Sequence, residues 1–353
     1  MKHKIIPVFI PHMGCPNVCS FCNQRYITNQ EKFDWEKIES NITMQIEKLK
    51  YLDDLELAFF GGSFTMIDEF LQEKLLSYAK KHLDKGNIKH IRISTRPDAI
   101  DDKCIKKLKY YGVDFVELGI QSFSEDVLIK NKRFYGNGIV EKSIESLKRN
   151  KMNFGLQLLY GLLGETKEIA YASICKAMEY KPKTLRLYPI IVLEHTLLAE
   201  CYKNKTYFPP TKEEVIEVGA FAYAMCIRHN VELIRVGLYP EDSMLNHRVA
   251  GYFHPAYKTL METFLFKEVI KKLLMDNKNN FISIGIPKPF FNGFVGYKGS
   301  NLKLIREKNS DIKVLMLSDK EDEIKIITKD FYTIVYNIYD LINDYLEKVM
   351  KCI

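Results

Sequence analysis

At 353 residues, 46% of them hydrophobic, the chain is long enough to bury a large core, which excludes the disordered and fibrous classes. Lys and Arg outnumber Asp and Glu by 52 to 45, a net charge of +7 that suits a polyanionic partner without requiring one. No run of about 18 apolar residues is present to span a bilayer, and the opening MKHKIIPVFIPHMGC is short and broken by proline for a secretory leader, so a cytoplasmic protein with no membrane association is expected.

In chain order, the short apolar runs KIIPVFIP, ELAFFGG, HIRISTR, FVELGIQ, NFGLQLLYG and TLRLYPIIV read as strands. They are near-continuously apolar, as strands covered by helices should be. The amphipathic stretches WEKIESNITMQIEKLKYL, IDEFLQEKLLSYAKKHL, DDKCIKKLKYY, IVEKSIESLKRN and KEIAYASICKAMEY alternate with them as helices. Repeated βα units from Lys4 to about Val192 predict an α/β fold, a partial parallel (β/α)6 barrel, open because eight units cannot be counted. Barrels of this kind present their chemistry at the carboxyl ends of the strands. The unusual residues fall there: GCPNVCSFC after the first strand, GGSF after the second, STRPD, GIQSF and YGLLGET after the next three.

Three of the eight cysteines, Cys15, Cys19 and Cys22, crowd into the first of these loops, and the other five are scattered. That distribution points to a metal or redox cofactor instead of a disulfide framework. Thiolates suit zinc or an iron–sulfur cluster. Zinc needs a fourth ligand, for which His12 is the local candidate; a [4Fe–4S] cluster held by three thiolates leaves one iron open to a ligand from outside.

The Cys-x3-Cys-x2-Cys spacing, with Phe21 directly before the last cysteine, resembles the signature of radical S-adenosylmethionine (SAM) enzymes. The resemblance implies that Cys15, Cys19 and Cys22 hold a [4Fe–4S] cluster. It implies that the open iron chelates SAM, that an electron from an external flavodoxin- or ferredoxin-type donor breaks its C–S bond, and that a 5′-deoxyadenosyl radical results. It also implies cofactor contacts for Phe21 and for the glycine-rich strand end Gly61, Gly62, Ser63 and Phe64, where glycine permits close approach. More narrowly, STRPDAI, ELGIQSF and RLYPIIVLEHT resemble the core of the Elongator catalytic subunit family, which modifies wobble uridine in transfer RNA. By that likeness Arg96 belongs to the cofactor pocket, and Gln121, Arg133 and Tyr188 to the reacting centre. The likeness covers roughly residues 4–240. Elongator subunits have a longer cysteine spacing and a carboxyl-terminal acetyltransferase domain; the remaining 110 or so residues are too few for one.

Three regions are expected: a core barrel over 1–240, a connecting loop and helix over 241–278, and a small α+β domain over 279–353. In the connector, Leu260, Phe264, Phe266, Ile270 and Leu274 recur near helical spacing, DNKNN suggests a hinge, and His247 and His254 are assigned no ligand role. The last region reads as strand, short helix, GYKG, helix, two strands DIKVLML and EIKIIT flanking a hairpin turn, and a final helix with Phe331, Ile334, Ile338, Leu341 and Tyr345 at core spacing. This order resembles a KH domain, with Gly296, Tyr297, Lys298 and Gly299 as its GXXG loop. The resemblance implies RNA binding there, with Lys303 in a basic strip that Lys288 and Arg306 extend. The combined expectation is a radical SAM enzyme acting on RNA, most of all transfer RNA. The alternatives are a small-molecule or peptide substrate with a structural tail, or a non-catalytic RNA-binding protein whose cluster is structural or redox-sensing.

Overall fold

The computed structural model describes residues 3–10, 13–15, 17–23, 26, 33–237, 242–277, 281–308 and 310–351. His12, the zinc candidate, and residues 278–280 of the suggested hinge lie outside them.

Seven parallel strands form the main sheet in chain order: β1 (Lys4–Phe9), β2 (Leu55–Phe60), β3 (His90–Thr95), β4 (Phe115–Gln121), β5 (Asn153–Tyr160), β6 (Thr184–Pro189) and, after a short antiparallel pair, β8 (Glu232–Val236). The pair is β7 (Val192–Leu193) with β9 (Arg248–Ala250). Helices α1 (Trp35–Leu49), α2 (Glu69–Asp84), α3 (Asp102–Tyr110), α4 (Glu125–Lys130), α5 (Asn137–Arg149) and α6 (Lys167–Glu179) carry the chain between strands. Asp34, Asp68, Asp101, Ser124 and Thr166 begin five of them, each side chain accepting a first-turn backbone N–H. The outward residues Leu57, Phe59, Ile91, Ile93, Val116 and Leu118 are buried under these helices.

The sheet is an open α/β half-barrel with one strand more than the six expected. The added strand, Glu232–Val236, has only five residues and carries charges at Glu232 and Arg235, so it offers no apolar run to read. The sixth apolar run also divides: β6 ends at Pro189, which has no N–H to continue a ladder. The strands are not continuously apolar either. Glu56, Arg92, Glu117 and Arg186 occupy alternate, inward positions.

Helices α7 (Leu197–Lys203) and α8 (Lys212–Arg228) follow the sixth strand; Thr211 and Glu214 form a reciprocal capping box at the start of α8. The connector holds α9 (Tyr257–Asp276), whose buried stripe runs through Met261, Leu265, Phe266, Val269, Ile270 and Leu273. It packs on α8 and on the tail helices together, and Phe266 meets Phe290 and Phe294 at 5.8 and 6.3 Å between ring centroids.

The tail contains β10 (Phe281–Pro287), α10 (Lys288–Val295), α11 (Ser300–Lys308), β11 (Lys313–Leu317), β12 (Glu323–Thr328), β13 (Thr333–Asn337) and α12 (Ile338–Met350). Strand–helix–GXXG–helix–strand is present as expected, but the rest of the sheet differs. β11 and β12 are not a hairpin, because β10 lies between them, parallel to β11 and antiparallel to β12. The final helix starts at Ile338; Phe331 is 81% exposed in a turn and Ile334 belongs to β13. Asn277, at the near side of the suggested hinge, is buried and donates to Leu273 O and Tyr336 Oη, which fixes that end to the tail. One contiguous apolar core runs from Ile6 in the barrel to Leu346 in the last helix. Among the described residues no helix is long and apolar enough to cross a membrane.

Because α9 serves both halves, Phe266→Ala should cost about 3–5 kcal/mol and lower the denaturant midpoint of barrel and tail together. Urea melts followed by far-UV circular dichroism and by limited proteolysis of the tail check this; a tail that unfolds alone would show two separate cores.

Candidate active site

The cysteine loop is seated backbone to backbone on the end of β2. Ile10 N donates to Phe60 O at 2.7 Å and Ser63 N to Met13 O at 3.1 Å. Gly14, Gly61 and Gly62 have φ of +73°, +86° and +56°. A Cβ on Gly62 would overlap the Met13 carbonyl, and one on Gly14 would overlap the Ser63 carbonyl. The glycine pair therefore serves the chain's own close approach, a requirement that precedes any ligand.

The far end of the loop turns at Cys19–Cys22, where Cys22 N donates to Cys19 O at 3.1 Å. Beneath it lies Asn131, fully buried, which no motif singled out. Its Oδ1 accepts from Ser20 Oγ at 2.5 Å and from Leu163 N at 3.2 Å; its Nδ2 donates to Val127 O at 2.7 Å and Leu163 O at 3.0 Å. Leu198 N closes the clamp on Ser20 O at 2.9 Å. One amide thus ties the cysteine turn to α4 and to the loop after β5. That loop is held in turn by Glu165, whose Oε2 accepts from Gly161 N and Leu162 N at 2.8 and 3.2 Å; burial pushes this carboxyl up to about 8.

Two arginines back the cysteines. Arg133, 5% exposed, donates from Nη1 to Cys19 Sγ at 3.4 Å, from Nη2 to Gly119 O at 2.5 Å and from Nε to Tyr135 Oη at 2.8 Å. Burial opposes its charge, but Tyr135 and Cys19 outweigh that and hold it firmly cationic. Arg96 is forked onto Asp98 at 2.8 and 2.7 Å, and its third nitrogen, Nη1, is buried with no partner among the described residues. Desolvation pushes the Cys15 thiol up and Cys19 adds to it, while Arg96 and Arg133 pull it down.

Of the other expected residues, Ser63 is buried under the loop, with Oγ 2.9 Å from Thr95 Oγ1. Phe21 packs on the apolar group that includes Leu159, Ile190 and Tyr188. Phe64 turns away: its ring is 1% exposed and stacks on Phe59 at 5.0 Å, so it supports the strand end from the core and does not face the pocket. Gln121 sits left-handed at the end of β4 (φ +78°), its Oε1 3.4 Å from Gln157 Nε2. Tyr188 lies in the barrel interior, where Arg186 Nη1 donates to its hydroxyl at 3.4 Å.

The interior also gathers charges that reading by apolar runs missed. Arg92 pairs with Glu56 and donates to Glu117 at 2.9 Å; Glu117 is shared with Arg186 at 2.7 Å and takes Ser94 Oγ at 3.3 Å. The signal was the period-two placement of Glu56, Arg92, Glu117 and Arg186 within apolar strands.

Residues 9–172 match the model of the radical SAM superfamily, and residues 182–265 match that of the radical SAM C-terminal domain. The chain carries a radical SAM core. That core resembles the Elongator catalytic subunit. It is 27% identical over 199 residues to a tRNA uridine(34) acetyltransferase of Methanocaldococcus jannaschii, covering 50% of this chain and 37% of that protein. It is also 27% identical over 188 residues to the heme chaperone HemW of Lactococcus lactis, covering 52% and 48%. The chain thus spans about half the length, or less, of these curated relatives. The solved structure of the archaeal Methanocaldococcus infernus Elp3 lacking its N-terminus shares the fold, with a TM-score of 0.60 and 22% identity over 78% of this chain and 64% of that one.

The cofactors of a radical SAM core are a [4Fe–4S] cluster and SAM, and the rim suits them. Among the described residues no three His, Cys, Asp or Glu side chains converge tightly enough for a single metal ion. In a cluster each thiolate binds a different iron, which needs no such convergence. Cys15, Cys19 and Cys22 would hold the cluster; Arg133 behind Cys19 and the unpartnered Arg96 Nη1 offer N–H groups to a net anionic group.

Gly62→Val separates the two uses of the glycine pair. The overlap with Met13 O should unseat the cysteine loop, so that iron binding and SAM binding fall together while the secondary structure of the barrel persists. Iron content after anaerobic reconstitution and equilibrium dialysis with SAM check it; full iron content with weakened SAM would assign the glycine to the ligand alone.

Proposed function

We propose that the protein is an enzyme that holds a [4Fe–4S] cluster through Cys15, Cys19 and Cys22, cleaves SAM reductively and acts on RNA, transfer RNA before other RNAs. When bound and reduced by a flavodoxin- or ferredoxin-type donor, the cluster supplies the electron that releases a 5′-deoxyadenosyl radical from SAM. The chain's own residues do the rest. The Gly61–Gly62 turn and Asn131 seat the loop, Arg96 and Arg133 counter the negative charge, and Gln121 and Tyr188, at the carboxyl ends of β4 and β6, stand where a substrate would meet the rim, with the Arg92–Glu117–Arg186 network deeper in the barrel. The reading divides the chain into the barrel over 1–240, the connector over 241–278 and a KH-like RNA-binding domain over 279–353, in the cytoplasm.

The observation that carries the RNA reading is the loop Gly296–Gly299. It joins α10 to α11, with Gly296 at φ +80° and Gly299 at φ +70°, and a Cβ at Gly299 would meet nothing within 4 Å. A bare backbone beside the exposed Lys298 and Lys303 suits a phosphate chain. The likeness to a tRNA uridine(34) acetyltransferase supports the same substrate class. The comparable likeness to HemW favours a second reading, a heme-handling protein that modifies nothing.

Anaerobically reconstituted protein should bind about four irons, cleave SAM when reduced, and leave an altered nucleoside in transfer RNA from an unmodified source, seen by mass analysis. The Cys15→Ala, Cys19→Ala, Cys22→Ala variant should lose the cluster and the cleavage. Cleavage by the triple variant would overturn the cluster assignment; stoichiometric heme binding with no change in any RNA would favour the second reading.

A further inference from the structure

We propose that the GXXG loop and the connector residues Tyr252 and His254 form one stacking platform for the bases of single-stranded RNA. This rests on the RNA reading and adds to it residues from outside the tail domain.

Three rings meet beside the loop. Tyr297 stands edge-on to His254, with centroids 5.4 Å apart at 89°, and His254 lies nearly parallel to Tyr252 at 6.4 Å and 13°. Lys298 Nζ is 5.4 Å from the Tyr297 centroid. All three rings are partly exposed, and only Tyr252 leans on the apolar core. The loop is held without the Tyr297 ring: Tyr297 N donates to Thr263 Oγ1 at 2.8 Å, and just after the loop the Asn301 side chain donates from Nδ2 to Thr263 O and Gly293 O at 2.9 and 3.2 Å. The Tyr297 ring is therefore not needed to anchor it. Ala256 N donates to His254 Nδ1 at 3.0 Å, which leaves Nε2 as the ring's hydrogen-bond donor.

The two glycines differ in purpose. A Cβ on Gly296 would crowd Ser300 and Asn301 at about 3.0 Å, so this glycine makes the turn, whereas Gly299 faces open space. Bare backbone at Gly299, a cation at Lys298 and π faces at Tyr297, His254 and Tyr252 together match what a sequence-tolerant single strand requires: room for its phosphates, a counter-charge, and rings for its bases.

The test uses the full chain with an unstructured RNA oligonucleotide carrying 2-aminopurine, at two salt concentrations. Wild type should bind and quench the fluorophore. Tyr297→Leu, and separately His254→Gln, should each weaken binding by about tenfold and reduce the quenching, with the salt dependence unchanged. Lys298→Gln should instead make the salt dependence shallower by about one unit of slope. Tyr297→Phe should keep both affinity and quenching. Circular dichroism and iron content should match wild type throughout. If wild type binds RNA and the ring variants bind and quench equally well, the platform is wrong and the RNA reading stands. If wild type binds no RNA, both fall.

Discussion

The site depends on backbone meeting backbone where the cysteine loop crosses the end of β2. Hydrogen bonds from Ile10 N to Phe60 O and from Ser63 N to Met13 O bring two chain segments closer than side chains would allow. Glycine at 14, 61 and 62 is the condition for that approach, since each is left-handed and any Cβ would crowd a facing carbonyl. Everything further along the loop inherits its position from this crossing. The Cys19–Cys22 turn is then fastened at Ser20 by Asn131 from below and by Leu198 N, and at Cys19 by Arg133. A loop with little regular structure is thus held at both ends by groups that cannot be exchanged for bulkier ones.

The interior of the half-barrel carries a different constraint. Glu56, Arg92 and Glu117 are nearly excluded from solvent, and removing ions from water costs several kcal/mol each before their pairing offsets it. A barrel built only for stability would fill those inward positions with apolar side chains. Here each carboxylate is shared: Glu56 with Arg92 and His3, Glu117 with Arg92, Arg186 and Ser94. The network keeps the lumen polar, and Arg186 carries that polarity toward the rim through its bond to Tyr188, near which Gln157 and Gln121 pair.

These two features differ in how far the sequence discloses them. Cysteine spacing and paired glycines are local patterns, so the loop, the strand end and the general α/β order were legible. The period-two charges were equally local, but a search for continuous apolar runs passes over Arg92 in HIRIST and Arg186 in TLRLYP, and it passes over Glu232–Val236 altogether. The capping box of Thr211 and Glu214 announces α8 in the same local way. Asn131 is another case. Nothing in NKRFYG marks an asparagine as a clamp, because its partners Ser20 and Leu163 lie 111 and 32 residues away and only the folded half-barrel unites them. The tail shows the same limit: β11 and β12 are neighbours in sequence, yet β10 takes the place between them. Pairing is decided by where the two intervening helices return the chain, which periodicity does not encode.

The shared helix α9 turns these separate pieces into one device. It packs on α8 beside the barrel through its buried stripe, and Thr263 on the same helix holds the turn at Tyr297. Asn277, at its end, grips Tyr336 in the tail sheet. The GXXG loop is consequently positioned by side-chain packing and hydrogen bonds, not by a free linker. A flexible tether would raise only the local concentration of a bound strand. If the loop takes RNA as proposed, a rigid mount would also fix the direction in which the strand leaves it, and orientation is what a short-lived radical would need most from its substrate.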